Sequence, residues 1–492
     1  MEIFQQLSGG FAYVIGWTPL FTIACGVAFG IFVGAMPGLS PSMGVALLVP
    51  FTYAMDPELA IILLAAVYLA ADYGGSITAV TINAPGTPAA AVTAFDGYAL
   101  TQKGQPGIGL GMSLIASTVG GVFGTLVLIF FSGPLARLAA SFQPAEYFAI
   151  AVFGLTSVSS IGGKNWGRAI LMVLLGLLLN TVGIDPISGV SRFTFGLAEL
   201  YNGFSLIPVL IGLFAISEVL LQIDEGKLDT QPIDVAAAEW PSFWDYLRTG
   251  PTILSSSLIG TIVGVFPGAG ATIASFVSYD IAKRTSRTPD KFGTGCAEGV
   301  AAAEAANSSS VGGALVPLLT LGIPGSASTA VLVGALMIHD VVPGPQLFES
   351  HPRIVYGLFA SLLIANVVLL AMGLFGSRLW IQVCSVPKRV LYPLIIAVSC
   401  VGSFAIRNSM FDVASCVAFG VIGWMLRRNS FPVVPIVLGM VLGDVVEMNF
   451  RQAVLIGGYN TFVTRPVCLG ILVLATLSIV VPKLVKRMKA HS

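Results

Sequence analysis

Two stretches of this 492-residue chain carry the residue types from which a site for a small charged solute can be made. The first contains Pro37-Gly38-Leu39-Ser40-Pro41-Ser42, Asp72-Tyr73-Gly74-Gly75-Ser76 and Asn83-Ala84-Pro85-Gly86-Thr87-Pro88. The second contains Pro267-Gly268-Ala269-Gly270-Ala271-Thr272, Asn307-Ser308-Ser309-Ser310 and Gly322-Ile323-Pro324-Gly325-Ser326-Ala327-Ser328. Proline removes a backbone donor and clashes with the preceding turn, and glycine opens φ > 0, so each Pro-Gly is expected to end a helix. The half-helix ends left behind are polar. N-terminal amides attract anions, while C-terminal carbonyls with nearby hydroxyls suit Na⁺. Backbone amides near Gly38, Gly86, Gly268, Gly270 and Gly325 are therefore candidates to meet an anion. Ser40, Ser42, Thr87, Thr272, Ser326 and Ser328 offer hydroxyls, and Asn83 or Asn307 an amide. Asp72 is a candidate for cation or proton coupling; the alternative is that it only caps the following half-helix.

The surroundings of these stretches are apolar. Hydrophobic residues make up 55% of the chain and charged residues only 10%, against roughly 25% charge in soluble domains. Apolar runs recur from Phe11 to Val481, and a helix needs about 20 such residues to cross a bilayer. The expected fold class is an all-α polytopic membrane protein. Broken backbone at membrane depth survives only where protein buries it or where it lines a wet cavity. Basic and acidic residues balance at 24 each, with no basic stripe to argue for nucleic acid. Six cysteines show no CxxC spacing, and His occurs only at 339, 351 and 491, so no zinc, haem or other cofactor is expected. The start, Met1 to Gln6, lacks a basic signal-peptide end, and the first apolar run reads as a retained helix.

The halves of the chain resemble each other. Gly30-x-x-x-Gly34-x-x-Pro37-Gly38 matches Gly260-x-x-x-Gly264-x-x-Pro267-Gly268. The turn at Pro85-Gly86 pairs with Pro324-Gly325, and Ile207-Pro208-x-x-x-Gly212 with Val434-Pro435-x-x-x-Gly439. The GxxxG spacings read most simply as helix packing. Between the halves, Gln222 to Thr249 is acidic, with Trp240, Trp244 and Leu247 at helical spacing, as in a short interfacial helix. Lys483, Lys486, Arg487 and Lys489 place the C-terminus in the cytoplasm, and loop charges including Lys164, Arg168, Arg427 and Arg428 alternate so that the copies are inverted, with the N-terminus outside. The expected organisation is a first inverted repeat, 1–221, with a binding-domain segment at 30–95 and scaffold-type helices at 107–221. A cytoplasmic linker, 222–249, precedes a second repeat, 250–465, with a binding-domain segment at 260–338 and scaffold-type helices at 354–447. A final helix and basic tail occupy 466–492.

Matched breaks in two inverted copies point to the central site of a transporter. Among the other embedded charges, Glu298 and Glu304 lie in a run of small residues, while Glu218 and Asp444 end matched spans and read as interfacial. An enzyme is not expected. A rhomboid-like Gly-x-Ser-Gly with an embedded His does not occur, and Tyr279-Asp280 with Gly443-Asp444 falls short of an aspartyl protease because residue 441 is Val. A channel, its filter built from the Pro-Gly breaks, is the alternative to a transporter.

The motifs at 30–41, 73–78, 83–88 and 266–272 together resemble the large membrane subunit of the tripartite tricarboxylate transporters, the TctA family, over nearly the whole chain. That resemblance implies a secondary transporter of the bacterial inner membrane that takes up an organic carboxylate, such as citrate, with Na⁺ or H⁺ as coupling ion. It implies a small four-helix membrane partner of the TctB type and an extracytoplasmic solute-binding protein of the TctC type. It also implies an elevator-like movement of a binding domain against a scaffold, and it is compatible with a homo-oligomer.

Overall fold

Apolar runs become helices here wherever proline and glycine do not interrupt them, and the interruptions fall where turns are needed. The computed structural model describes residues 2–36, 39–157, 166–185, 187–224, 240–267, 270–383 and 388–489. The first half contains α1 (Glu2–Val14), α2 (Trp17–Ala35), α3 (Pro41–Thr52), α4 (Pro57–Ile82), α5 (Ala90–Gln102), α6 (Pro106–Ala140), α7 (Pro144–Ser157) and α8 (Trp166–Asn180). It ends with α9 (Leu206–Asp224), which contains a π-helical turn at Gly212–Ile216. The second half contains α10 (Phe243–Val265), α11 (Gly270–Thr285), α12 (Ala297–Leu321), α13 (Ala327–Ile338), α14 (Pro352–Val383), α15 (Lys388–Arg407), α16 (Met410–Arg428), α17 (Val434–Gly457) and α18 (Pro466–Lys489). A two-residue antiparallel ladder pairs Gly183 with Arg192 and Ile184 with Ser191.

Among the described residues, seven helices are long and apolar enough to cross a membrane. The chain is a multi-pass, all-α membrane protein. Phe131, Leu174, Leu254 and Val401 are exposed on its outside, as a lipid-facing surface requires. The short interfacial helix expected near Trp240 is not separate. Trp244 and Leu247 lie in the first turns of α10, because the Ser242–Asp245 capping box starts a helix that continues without a break.

Two helices are posts for the rest. Every residue of α12 from Gly299 to Thr320 is buried, and α4 is buried along most of its length. Neither needs a lipid face, so both tolerate Ser, Asn, Asp and Glu. Helix α2 reaches α4 through the glycines of the first GxxxG. A Cβ on Gly30 would lie 2.6 Å from the Val67 carbonyl oxygen, and one on Gly34 2.1 Å from that of Ala71. Helix α10 reaches α12 in the same way, with Gly260 against Ala306 and Gly264 against Ser310 at 2.3 and 2.5 Å. These spacings are packing seams.

The halves also lean on each other. Helix α6 packs along α12, and α14 along α4. Helix α9 packs on α16 through Gly212, and α17 packs on α8 through Gly439. Two buried carboxylates tie these crossings. Glu304, fully buried on α12, accepts hydrogen bonds from Ser76 of α4 (2.5 Å), Ser117 of α6 (2.8 Å) and Thr93 of α5. Asp96, fully buried on α5, accepts from the backbone amides of Gly293, Gly295 and Cys296 at 2.8, 2.9 and 2.7 Å, and from the Tyr279 hydroxyl at 2.7 Å. At the loop before α9, Arg192 pairs with Glu447 (2.8 Å) and Arg451 with Asp185 (3.0 Å). Hydrogen bonds from Ser188 and the Ile187 amide, with Arg451 beside them, hold the Asp185 carboxyl well below the usual range.

Asp96→Ala would strand three amides at the start of α12. It is expected to cost about 2–3 kcal/mol, the scale of losing hydrogen bonds to a charged group whose neutral donors are left without it. Thermal unfolding of the purified protein in detergent measures this, and an unchanged melting temperature would mean that Asp96 does not hold the halves together.

Candidate functional site

A turn inside the membrane leaves free amides unless side chains cap them, and at each described break they do. Helix α3 starts at Ser40, whose Oγ accepts from the Met43 amide (3.3 Å) and lies 3.0 Å from the Ser42 Oγ. Pro41 follows as the first helical residue, where its missing N–H costs nothing. Thr87 Oγ1 accepts from the Ala90 amide at the start of α5 (3.3 Å). Ser326 caps α13, taking the Thr329 amide at 3.2 Å while Thr329 Oγ1 takes the Ser326 amide at 2.7 Å. The preceding helices end in left-handed residues, α4 at Asn83 (φ 54°) and α12 at Gly322 (φ 72°).

These starts open onto one cavity of about 870 Å³. One wall is built from Ser40 to Ser42, Pro85 to Ala89, Gly270 to Ile273 and Ser326 to Ser328, with Tyr68 and Asp72 of α4. The N-termini of α3, α11 and α13 and the entry to α5 thus share a single space, and their amides and dipoles favour an anion there. The rest of the lining comes from Phe214, Glu218 and Leu221 of α9, Arg427 at the end of α16, and residues from Ser430 into α17. Arg168 holds this second wall in place. Its Nη1 donates to the Asn429 carbonyl (2.7 Å) and its guanidinium lies 4.9 Å from the centre of the Phe431 ring.

Of the residues expected from sequence, Ser40, Ser42, Asp72, Gly86, Thr87, Gly270, Thr272, Ser326 and Ser328 line the cavity. Gly38 and Gly268 lie outside the described residues. Asn83 is exposed at the end of α4 and is not among the lining residues. Asn307 is buried behind the wall and donates through Nδ2 to the Asp72 carbonyl (3.3 Å). Gly325 packs against Ala314 and the Gly264 carbonyl oxygen, as Gly86 packs against the Gly34 carbonyl oxygen. A Cβ on Gly86 would stand 1.9 Å from that oxygen, so close approach alone demands glycine there.

Asp72 and Asn307 bring together two buried acceptors. Among the described residues, neither Asp72 Oδ2 nor Asn307 Oδ1 has a hydrogen-bond partner. Free oxygen acceptors inside protein suit a cation or a shuttled proton. Sequence reasoning missed Tyr68, Glu218 and Arg427 as parts of the wall. Tyr68 stands one helical turn before Asp72, a signal that was available, and its hydroxyl lies 3.1 Å from the Ser326 Oγ. Glu218 and Arg427 sit near helix ends, where charges are unremarkable.

A model described as the tripartite tricarboxylate transporter TctA family matches residues 20–438. The uncharacterized 52.8 kDa protein in the TAR-I ttuC' 3'region of Agrobacterium vitis is 36% identical over 486 residues, which cover 98% of this chain and 96% of that protein. A second protein of that organism, uncharacterized and in the TAR-II ttuC' 3'region, is 37% identical over 223 residues, 45% of this chain and 92% of its own length. No solved structure matches the chain.

Tyr68→Phe removes one hydrogen bond between the two Pro-Gly regions and is expected to cost about 1 kcal/mol. Ser326→Ala also uncaps α13 and is expected to cost about 2 kcal/mol. Melting temperatures of the two variants, compared in one detergent, measure the difference; equal shifts would mean that the cap contributes nothing.

Proposed function

The chain belongs to the tripartite tricarboxylate transporter TctA family, and from that premise we propose that it is the large membrane subunit of a binding-protein-dependent importer. The solute is an organic carboxylate, either a tricarboxylate such as citrate or a dicarboxylate, moved as a secondary transporter on a Na⁺ or H⁺ gradient. The observation that carries this reading is the convergence of helix starts from both halves on one cavity that also contains Asp72. Carboxylate oxygens are met by amides and capping hydroxyls, which accounts for an anion site in segments poor in Lys and Arg.

Asp72 and Asn307 serve the coupling ion. Their free oxygens sit where the two posts α4 and α12 approach, so a bound Na⁺ or proton changes the charge beside the substrate. The segments 30–95 and 260–338 form the moving domain and 107–221 with 354–447 the scaffold. The cavity supports this division, since its two walls come one from each set. The protein works in the inner membrane with its C-terminus in the cytoplasm and its N-terminus in the periplasm. A TctB-type four-helix subunit and a TctC-type binding protein complete the system, the latter handing over the carboxylate, and the assembly is compatible with a homo-oligomer.

Reconstitution of the chain with both partners in proteoliposomes tests the proposal. Radiolabelled citrate, malate and succinate are expected to accumulate only with the binding protein present and only under one of two separately imposed gradients, Na⁺ or H⁺. Asp72→Asn is expected to abolish accumulation under that gradient. Flux that needs neither gradient nor binding protein would replace the transporter by a channel, and full accumulation by Asp72→Asn would remove Asp72 from coupling.

A further inference from the structure

The part of the cavity lining contributed by α9 and α16 contains a cation with no role in the proposed transport so far. Arg427 is the one basic side chain among the described residues lining the cavity. It is largely shielded, with a side chain 20% exposed, and pairs through Nη1 with the Glu218 carboxylate. Its Nη2 donates to the Leu213 carbonyl at 3.2 Å. That carbonyl belongs to the π-helical turn of α9, and such turns, which free backbone groups from the helical ladder, are frequent at functional sites. Among the described residues, the buried Arg427 Nε has no hydrogen-bond partner. Glu218 in turn has a second partner, Gln222, whose Nε2 donates to Glu218 Oε1 at 3.2 Å, and Gln222 accepts from the Tyr392 hydroxyl at 2.5 Å. Glu218 can therefore leave Arg427 and keep a hydrogen bond.

Resting on the proposed carboxylate transport, we propose that Arg427 is the receptor for a second carboxylate of the substrate, and that Glu218 occupies it until that carboxylate arrives. One carboxylate lies at the helix starts around Ser40 and Ser326, and the distal one crosses the cavity to the guanidinium. Arginine suits this task, since its planar fork takes a carboxylate by two parallel hydrogen bonds. The exchange replaces one carboxylate by another of the same charge, so no cation is left bare. The pair becomes a selection device: a solute with a single carboxylate cannot both hold the helix starts and displace Glu218.

A structural ion pair and a reserved receptor differ in sign. Breaking a structural pair from either side impairs the protein in the same direction, whereas here the two partners compete for opposite ends. Glu218→Gln is expected to lower KM for radiolabelled citrate or succinate several-fold. Arg427→Met is expected to raise it roughly tenfold or more, the scale of one charge-assisted hydrogen bond. The double variant, which orphans no charge, is expected to follow Arg427→Met. The ratio of acetate to citrate uptake is expected to rise with Arg427→Met and fall with Glu218→Gln. KM changes of the same sign in the two single variants, or no change in either, would overturn the proposal. Failure of the wild-type protein to move any carboxylate would instead overturn the functional reading on which it rests.

Discussion

A helix interrupted inside a membrane must give its free backbone groups to something, because no water is there to take them. In this protein that constraint is met with short polar side chains. Ser40, Thr87 and Ser326 take the first amides of α3, α5 and α13, while left-handed Asn83 and Gly322 close α4 and α12. Capping takes up only part of each helix start, and the remaining amides and the dipole still point outward. Placing several such starts around one space concentrates positive potential without a cationic side chain on the starts themselves. It also requires a rigid backing, which α4 and α12 supply by being buried on all sides.

The backing is held by groups that compensate one another in pairs. Glycine lets α2 lie on α4 and α10 on α12 at backbone distance. Glu304 would be an expensive buried charge on its own, but hydroxyls from α4, α5 and α6 surround it. Asp96 does for the start of α12 what Ser40 does for α3, with the cap supplied by a distant helix rather than by its own residue. Polar groups at membrane depth thus fall into two kinds. Some, such as Glu304 and Asp96, are met by several donors, whereas Asp72 and Asn307 keep acceptor capacity to spare.

Much of this was legible in the residues themselves. Pro-Gly pairs flanked by Ser and Thr located the interrupted segments, and the GxxxG spacings read correctly as packing seams, because both signals are local. Nine of the residues named from sequence line the cavity, most of them at the helix starts. What was not legible depends on partners far along the chain. Nothing around Ser76, Thr93 or Ser117 announces Glu304, since a hydroxyl has many uses and only the fold brings these four together. Glu218 and Arg427 looked like charges at membrane borders, and only the packing of α9 on α16 turns them into cavity wall. Asn83 stands out in the sequence for its amide, whereas its distinctive feature in the fold is a left-handed backbone, which asparagine tolerates better than most residues.

The carboxylate of Glu304 is separated from the hydroxyls of Ser76 and Thr93 by 228 and 211 residues of chain. The ribosome therefore releases both hydroxyls, and the glycine-lined face of α4, long before the acid that will engage them exists. During that interval the first half sits in the bilayer with its polar post open, sheltered only by whatever insertion machinery still surrounds it. Synthesis of α12 supplies the missing acid, and α14 then packs along α4. Chain order alone thus makes the early half wait for the late one, and quality control in the membrane has a natural signal to read: a first half whose hydroxyls remain without their acid.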